Sequence, residues 1–287
     1  MLTAKAPAKI NLVLEVLGEY DEYHQVFSIV QTINLCDTLN FELAEEISFE
    51  CSEPSLERDN LVTEAAILVK KVTKCGKGAR IKLYKHIPWG VGLGGGSSDA
   101  AATLLVLNKL WGLELATYEL VDLAFKLGSD VPFFIYGSTA LVEEKGEKVT
   151  PLPSLPPTWF VLLVPPVPRV PHKTKQLYAK LNISHYTKGQ FVHAALSSLT
   201  LGKAIDLSLM FNVFEKVAFD VFSELNEYRR KFEAAGASSV HLAGSGPCLF
   251  TFFSEEEEAR ELCLRLRRQG LECHVVSSLS KELPLGA

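Results

Sequence analysis

The residues best suited to chemistry lie between Pro88 and Ser98, where glycine and serine dominate. Five glycines fall within residues 90–96, and Ser97 and Ser98 follow them. Glycine lets the backbone adopt positive φ and leaves room for a ligand to approach the amide groups closely. A helix predicted to begin at these serines would direct free N–H groups and a partial positive charge at that ligand. This segment therefore predicts a phosphate-binding loop.

Known phosphate loops of different classes share such glycines. A Walker A loop requires Gly-Lys-Ser/Thr at its end, and Gly96 is followed by serine instead. Residues 90–95 do match the dinucleotide-binding pattern G-x-G-x-x-G. However, Glu114, at the expected distance, lies in a turn between two predicted helices rather than at the end of a strand. A non-Walker kinase loop is the third class, and a glycine-rich turn that binds no ligand is the structural alternative.

Two aspartates near such elements have structural alternatives as well. Residues 128–134 read Gly-Ser-Asp-Val-Pro-Phe-Phe, so Asp130 could be the N-cap of a short helix with Pro132 in its first turn. Spacing alone leaves this role and that of a general base equally open. Asp99 lies in the first turn of the helix after the loop, where the helix dipole stabilises a carboxylate. A structural role is therefore favoured for Asp99.

The string at residues 88–102 resembles the second motif of the GHMP kinases, the family of galactokinase, homoserine kinase and mevalonate kinase. Its triple glycine is similar to the branch of that family that phosphorylates a cytidine diphosphate ester in the non-mevalonate isoprenoid pathway. The resemblance extends from Lys9 to about Pro247 and implies ATP and Mg²⁺ as cofactors. It assigns to ATP binding Asn60, Pro88, Gly90, Gly92, Leu93, Gly94, Gly95, Gly96, Ser97 and Ser98. The metal ligands stay unknown, with Ser98 and Asp99 as candidates only.

The same resemblance implies a catalytic pair, Lys9 and Asp130. Lys9 lies in Ala-Lys-Ile-Asn-Leu, which is similar to the first motif of these kinases, and residues 128–134 are similar to the segment that carries their catalytic aspartate. A carboxylate can take the proton that an alcohol loses as it attacks the γ-phosphorus of ATP. An adjacent ammonium keeps the carboxylate ionised and offsets charge on the attacking oxygen. The implied reaction is phosphorylation of the 2-hydroxyl of the cytidyl ester.

Further resemblances imply a substrate site. Residues 21–24 are similar to a family segment, Asp-Gly-Tyr-His, that holds the cytidine group, although Glu22 replaces the glycine. Residues 174–178 are similar to the segment that places a threonine near the substrate and an aromatic ring over the cytosine, so we expect the base between Tyr23 and Tyr178. Residues 242–248 resemble the third motif, with Ala243 in place of serine, and a tight turn is the alternative. The predicted substrate-binding residues are Asn11, Tyr23, His24, Thr174, Tyr178, Gly244, Ser245 and Gly246.

The elements that must position these residues alternate along the chain. Period-two and apolar runs predict strands at residues 9–16, 26–35, 37–43, 79–87, 159–164, 249–253 and 273–277. Helices are predicted at residues 60–73, 118–127 and 255–269, and from the serines of the glycine loop onward, with N-caps at Ser97 or Ser98, at Thr117 and at Ser254 with Glu257.

Eight prolines at residues 151–171 place a domain boundary near residue 150. The fold class is therefore mixed α/β (α+β), with domains at 1–150 and 151–287. The resemblance implies an N-terminal domain like domain 2 of ribosomal protein S5 and a ferredoxin-like C-terminal domain.

Charge and composition limit the classes of binding partner that the protein can have. The 287 residues carry a net charge of −5 with no basic stripe, which argues against nucleic acid, and no apolar run approaches the length of a membrane helix. Six cysteines without metal-binding spacing fit reduced thiols in the cytoplasm. We expect a small-molecule substrate, no membrane association, and a monomer or homodimer. Two alternatives stay open: another GHMP kinase acting on mevalonate, homoserine or a sugar, and a non-catalytic relative that only binds nucleotide.

Overall fold

A computed structural model describes residues 1–21, 23–170, 172–201, 205–206 and 209–280. Its first sheet is organised by two long antiparallel strands, β1 (Leu2–Tyr20) and β2 (Tyr23–Ala44), which pair along nearly their whole length. The sheet continues with β3 (Ser48–Cys51), β4 (Gly78–Tyr84), β5 (Thr139–Glu144) and β6 (Lys148–Pro151). The two halves of β2 have different second neighbours, because β4 pairs with its C-terminal half and β5 with its N-terminal half.

Four helices cover one face of this sheet: α1 (Leu61–Thr73), α2 (Gly95–Trp111), α3 (Thr117–Leu127) and α4 (Val131–Tyr136). Helix α2 is largely buried among the others, and the alanines at residues 100–102 let neighbouring elements approach it closely. Its apolar side chains share a core with Phe41 and Ile81 of the sheet and with Phe133 of α4. Close packing of this kind fixes where both the glycine loop and Asp130 stand relative to β1.

The second half of the chain builds a four-stranded antiparallel sheet in the order β11-β7-β10-β9. Its strands are β7 (Trp159–Val164), β9 (His241–Leu242), β10 (Leu249–Phe253) and β11 (Glu272–Ser277), and β8 (Phe211–Asn212) instead returns to pair with β1. Its helices are α5 (Lys173–Tyr178), α6 (Gln190–Thr200), α7 (Glu215–Val221), α8 (Leu225–Ala234) and α9 (Glu256–Arg267). No helix in the described ranges has the length and apolar character needed to cross a membrane.

The two sheets share a core. Ile10 of β1 and Phe27 of β2 lie in one buried cluster with Phe160 of β7 and Phe250 of β10. The chain passes from the first sheet to the second between β6 and β7, within the proline-rich segment, and β8 then crosses back. The mixed α/β fold class is confirmed, and the boundary near residue 150 stays a prediction.

Several local predictions were wrong in ways that have physical causes. Residues 26–35 and 37–43 form one strand rather than two, because β2 stays paired with β1 on both sides of an irregularity. At this irregularity Pro7 faces Cys36 and Ala8 faces Ile33. The glycine-loop helix begins earlier than predicted, since Gly94 adopts a left-handed conformation and is its N-cap; Ser97 and Ser98 lie inside its first turn.

The other two caps also differ. The predicted N-cap Thr117 is the first residue of α3 and follows the cap Ala116. Glu255, rather than Ser254, precedes α9, and its side chain makes no capping hydrogen bond.

Candidate active site

A single cleft of about 1140 Å³ contains most of the residues that the sequence singled out. It is bordered by β1, the tip of the β1–β2 hairpin, the glycine loop, α5 and the loop after β9. The predicted residues that line it are Lys9, Asn11, Tyr23, His24, Asn60, Pro88, Gly90, Gly92, Leu93, Gly94, Gly95, Gly96, Ser97, Asp130, Thr174, Tyr178, Gly244 and Ser245. Ser98 and Gly246 do not line it: Ser98 is buried within the first turn of α2, and Gly246 is buried in the loop after β9.

The glycine loop, residues 88–96, is shaped by contacts with the rest of the protein as much as by room for a ligand. Gly92 has a φ of +92°, and a Cβ there would lie 2.0 Å from the carbonyl oxygen of Ala243. Gly94 has a φ of +73°, and a Cβ there would lie 2.9 Å from Cγ of Lys9. The backbone N–H of Lys9 donates to the carbonyl of Leu93 at 2.9 Å. The loop is therefore packed directly between β1 and the loop after β9.

Lys9 and Asp130 meet in this cleft. Lys9 is buried, and its Nζ lies 3.5 Å from Oδ2 of Asp130 and 2.7 Å from Oδ1 of Asn11. Asn11 is in turn oriented by its amide, which donates to the hydroxyl of Ser28 at 2.9 Å. This chain of contacts fixes the ammonium on the strand, and the geometry brings together two residues that are 121 positions apart in the sequence.

Asp130 does occupy the N-cap position of α4, but its side chain makes no capping hydrogen bond. Its carboxylate is 54% exposed toward the cleft, whereas the side chain of Lys9 is only 6% exposed. The carboxylate is thus held at the helix start, next to a cation and open to a ligand. The N-cap alternative is right about the position of the residue and wrong about the role of its side chain.

The loop after β9, residues 243–247, is positioned by a residue that the sequence analysis gave no role. The amide of Asn212 donates to the carbonyls of Leu242 at 2.8 Å and Gly244 at 2.7 Å. Glu215 accepts from the backbone N–H of Leu242 at 2.8 Å. The hydroxyls of Thr174 and Ser245 lie 2.8 Å apart, which links α5 to the same loop.

Aromatic rings form the other end of the cleft. His24 stacks on Tyr178 with ring centroids 4.6 Å apart and an interplanar angle of 28°, and Phe214 meets Tyr178 edge-on at 4.9 Å. Tyr23 is 55% exposed and carries Nζ of Lys145 at 3.7 Å from its ring centroid. Burial lowers the pKa of His24 and raises the pKa of Tyr178, so both rings are uncharged at neutral pH.

The expected position of a base between Tyr23 and Tyr178 stays a prediction, and in the structure His24 covers one face of Tyr178. Glu22, the departure from the family pattern at the hairpin tip, lies outside the described residues.

A buried ion cluster beneath the glycine loop went unnoticed in the sequence. Lys85 forms ion pairs with Asp37 and, at 2.8 Å, with Asp99. Oδ1 of Asp37 also accepts from the backbone N–H groups of His86 at 2.5 Å and Ile87 at 2.9 Å. Burial and the charge of Asp37 raise the pKa of Asp99 to about 7, against the opposing effect of Lys85. The cluster anchors the strand that enters the loop to the helix that leaves it, which gives Asp99 a structural role.

Asn60 has a structural role in addition to its place on the cleft wall. It is the N-cap of α1, where its Oδ1 accepts from the backbone N–H of Thr63 at 2.9 Å and its amide donates to the carbonyl of Glu57 at 3.2 Å. Both ends of its side chain are thus engaged within the protein.

Comparison with known proteins agrees with this geometry. The family model for the GHMP kinases N terminal domain matches residues 60–138, and the model for the GHMP kinases C terminal domain matches residues 194–271. A 4-diphosphocytidyl-2-C-methyl-D-erythritol kinase of Dehalococcoides mccartyi is 43% identical and covers 97% of this chain and 99% of its own. The corresponding kinase of Symbiobacterium thermophilum is 39% identical over 95% of this chain and 98% of its own.

Solved structures show the same relationship. A crystal structure of 4-(cytidine 5'-diphospho)-2C-methyl-D-erythritol kinase superposes with a TM-score of 0.82 at 34% identity, over 97% of this chain and 99% of the other. Homoserine kinase from Cytophaga hutchinsonii shares the fold alone, with a TM-score of 0.74 at 18% identity over 97% of this chain and 94% of its own. The chain belongs to the GHMP kinases, which are ATP-dependent kinases of small molecules, and within them to the family of 4-diphosphocytidyl-2-C-methyl-D-erythritol kinases.

Proposed function

We propose that this protein transfers the γ-phosphate of ATP to the 2-hydroxyl of 4-diphosphocytidyl-2-C-methyl-D-erythritol, a step of the non-mevalonate isoprenoid pathway. The observation that carries the proposal is the pair of Lys9 and Asp130, 3.5 Å apart at the mouth of the glycine loop. The aromatic end of the same cleft, with His24 stacked on Tyr178, supports the cytidyl part of the substrate. Relatives that carry this activity in their names match nearly the whole chain.

Asp130 is the general base in this proposal, and Lys9 is its electrostatic partner. The carboxylate of Asp130 accepts the proton that the substrate hydroxyl loses, an effect of about 10²- to 10⁴-fold in rate. The ammonium of Lys9 keeps that carboxylate ionised and stabilises the negative charge that develops on the attacking oxygen. Because Asn11 holds the ammonium from the side, Lys9 needs no reorganisation when the substrate arrives.

The glycine loop and the start of α2 bind the phosphates of ATP. The N–H groups of residues 94–97 lie at the N-terminus of a long helix, where the helix dipole attracts an anion. Gly90, Gly92 and Gly94 have positive φ and no side chain, so the loop can present its backbone to the ligand. Asn60 borders the same part of the cleft, and its capped position makes it a wall of the nucleotide site rather than a free donor.

Two buried oxygen atoms near the loop are candidates for Mg²⁺, and only that of Asp99 belongs to a residue that lines the cleft. The hydroxyl of Ser98 and Oδ1 of Asp99 are buried without a hydrogen-bond partner, and no cluster of three acidic, histidine or cysteine side chains among the described residues competes for a metal. Mg²⁺ takes oxygen ligands and is commonly held by one or two protein groups together with substrate phosphates. When bound with ATP, the ion would neutralise charge on the phosphates. Asp99, which lines the cleft, would hold it through Oδ1 in addition to its ion pair with Lys85 through Oδ2, and Ser98, which does not line the cleft, is not assigned to the ion.

The site at the aromatic end is assigned to the cytidine group. Tyr178 and His24 offer uncharged rings for contact with the base, and Tyr23 and Lys145 stand at the rim of the cleft. Thr174, Gly244 and Ser245 line the cleft and are assigned to the diphosphate and polyol portion, with Gly246 next to them in the same loop. Cytoplasmic location and a monomeric or homodimeric state complete the proposal.

The test is release of ADP from purified protein supplied with ATP and Mg²⁺. The acceptors are 4-diphosphocytidyl-2-C-methyl-D-erythritol, mevalonate, homoserine and galactose, each in a separate reaction. We expect turnover with the cytidyl ester alone. Turnover only with another alcohol would refute the cytidine assignment while keeping the phosphate loop. Binding of ATP without turnover on any acceptor would point to a non-catalytic relative.

A further inference from the structure

Lys173 stands where two loops of the cleft meet, and no sequence motif singled it out. It is the first residue of α5, and its Nζ donates to the carbonyl of Gly90 at 3.0 Å and to the carbonyl of Gly246. Gly90 belongs to the glycine loop before α2, whereas Gly246 belongs to the loop between β9 and β10. One ammonium therefore joins both loops at the phosphate end of the cleft.

This ammonium has no counter-ion in the part of the chain that the structure describes. Both of the acceptors named above are neutral carbonyls, and no described carboxylate forms an ion pair with Lys173. A second cation, the ammonium of Lys9, is close to this loop. Its Nζ lies 3.2 Å from the position that a Cβ on Gly244 would take, and Gly244 is two residues before Gly246, whose carbonyl Lys173 contacts. Burial, together with the charge of Lys9, lowers the pKa of Lys173 to about 8.

A partly buried cation without a counter-ion is costly unless a charged partner completes the site. Lys9 has Asp130 as its partner, whereas no described carboxylate forms an ion pair with Lys173. The cleft that Lys173 lines is the one assigned above to a phosphoryl donor and a diphosphate ester. A phosphate oxygen is a stronger acceptor for an ammonium than a neutral carbonyl, because the hydrogen bond is then charged on both sides.

We propose that Lys173 is a phosphate-binding cation of the active site and that it holds the loops of Gly90 and Gly246 around a phosphate group. The proposal rests on the proposed kinase function and deepens it by naming a residue. The phosphate group has two possible sources, the triphosphate of ATP and the diphosphate of the cytidyl ester. Thr174, the next residue, adds a hydroxyl that lies 2.8 Å from that of Ser245, so the first turn of α5 contacts the loop after β9 through two consecutive side chains.

The test compares Lys173→Met and Lys173→Arg with Lys180→Met, an exposed lysine just beyond α5 that does not line the cleft. We expect Lys173→Met to lower kcat/KM by about 10²- to 10³-fold, the loss typical for one charge-stabilising donor at a transition state. Lys173→Arg keeps the charge and should stay within about tenfold of the wild type. Lys180→Met should not differ from the wild type, and thermal unfolding of all variants reports whether they fold.

Binding of two probes identifies the source of the phosphate. We would measure the Kd of β,γ-imido-ATP with Mg²⁺ and the Kd of CDP for the wild type and Lys173→Met. A selective loss of affinity for the ATP analogue assigns Lys173 to the triphosphate, a selective loss for CDP assigns it to the diphosphate, and a loss in kcat alone assigns it to the group in transfer. Each of these results supports the proposal.

Two results would overturn it. One is a Lys173→Met protein with the rate and both affinities of the wild type. The other is an equal loss of kcat/KM in Lys173→Met and Lys173→Arg with equally lowered melting temperatures, because a purely structural link between the two loops would explain that result. A wild type that binds the ATP analogue but turns over no cytidyl ester would refute the proposed function separately, and the probe affinities would still test Lys173.

Discussion

The two ends of the cleft are held together by different kinds of contact. At the phosphate end, backbone touches backbone: the glycine loop lies against Ala243 at a position where no Cβ fits, and the buried Lys9 closes the floor. At the aromatic end, the contacts are between side chains, and Tyr23 at the hairpin tip is more than half exposed. The phosphate end therefore tolerates little change, whereas the aromatic end can be altered one side chain at a time.

The largest expected effect comes from removing the carboxylate of Asp130, the proposed base. Asp130→Asn should lower kcat by about 10²- to 10⁴-fold, because the amide cannot accept the proton of the substrate hydroxyl. Stability should change little, since the carboxylate is 54% exposed and makes no capping hydrogen bond. Steady-state kinetics and thermal unfolding measure the two quantities. A variant with near-normal turnover would remove Asp130 from the role of base.

The next effect tests whether the phosphate end depends on backbone contact. Gly92→Ala should push the glycine loop away from Ala243 and lower kcat/KM for ATP by about 10²-fold, the loss expected from a misplacement of about 1 Å. Gly112→Ala is the matched control, because Gly112 also has a positive φ, +67°, but nothing lies within 4 Å of its Cβ position. Both substitutions carry backbone strain of roughly 1–2 kcal/mol, and only the first carries a collision. Equal activity of the two variants would contradict the packing argument.

At the aromatic end, Tyr178→Ala should weaken CDP binding by roughly tenfold, within the range of about 1–3 kcal/mol for one base stack. The affinity for the ATP analogue should stay unchanged, since Tyr178 belongs to the other end of the cleft. Tyr118→Ala, an exposed tyrosine on α3, is the control for loss of an aromatic ring. Calorimetric titration gives both affinities. An equal loss for CDP and for the ATP analogue would show that the two ends are not separable.

The last prediction concerns stability rather than activity, and it tests the ion cluster beneath the glycine loop. The pKa of Asp99 is raised from 3.8 to about 7 in the folded protein, so between these values the folded chain binds a proton that the unfolded chain does not. The contribution of Asp99 to stability therefore increases as the pH falls from 7 toward 4, by at most about 1.4 kcal/mol per pH unit. Relative to Asp99→Asn, the wild type should gain stability as the pH is lowered from 8 to 5.

Denaturant unfolding at several pH values measures that difference. Asp122→Asn, at an exposed carboxylate on α3, is the control for loss of a surface charge. If the wild type instead lost stability relative to Asp99→Asn on acidification, the carboxylate would be stabilised by Lys85 more than it is disfavoured by burial and by Asp37.

Local patterns predicted some features well and others poorly. The strand and helix classes at residues 9–16, 60–73 and 159–164 were confirmed, because hydrophobic periodicity reports which face is buried. The start of α2 was misplaced because Gly94 caps the helix by its backbone conformation, which side-chain capping preferences do not describe. Lys173 was missed because a lysine at a helix start reads as a solvated charge, and the sequence does not show which carbonyls lie beside it.

The sequence by itself determined most of the elements, the glycine loop and the residue types of the proposed catalytic pair, because these depend on local conformation and on motifs of a few consecutive residues. Only the tertiary structure decided that Lys9 and Asp130 are 3.5 Å apart, that His24 covers Tyr178, and that Lys173 joins two loops. Each of these contacts connects elements far apart in the chain, and their relative positions are set by the shared core of β1, α2 and the two sheets. Packing of that core is a property of the whole fold, which no local pattern contains.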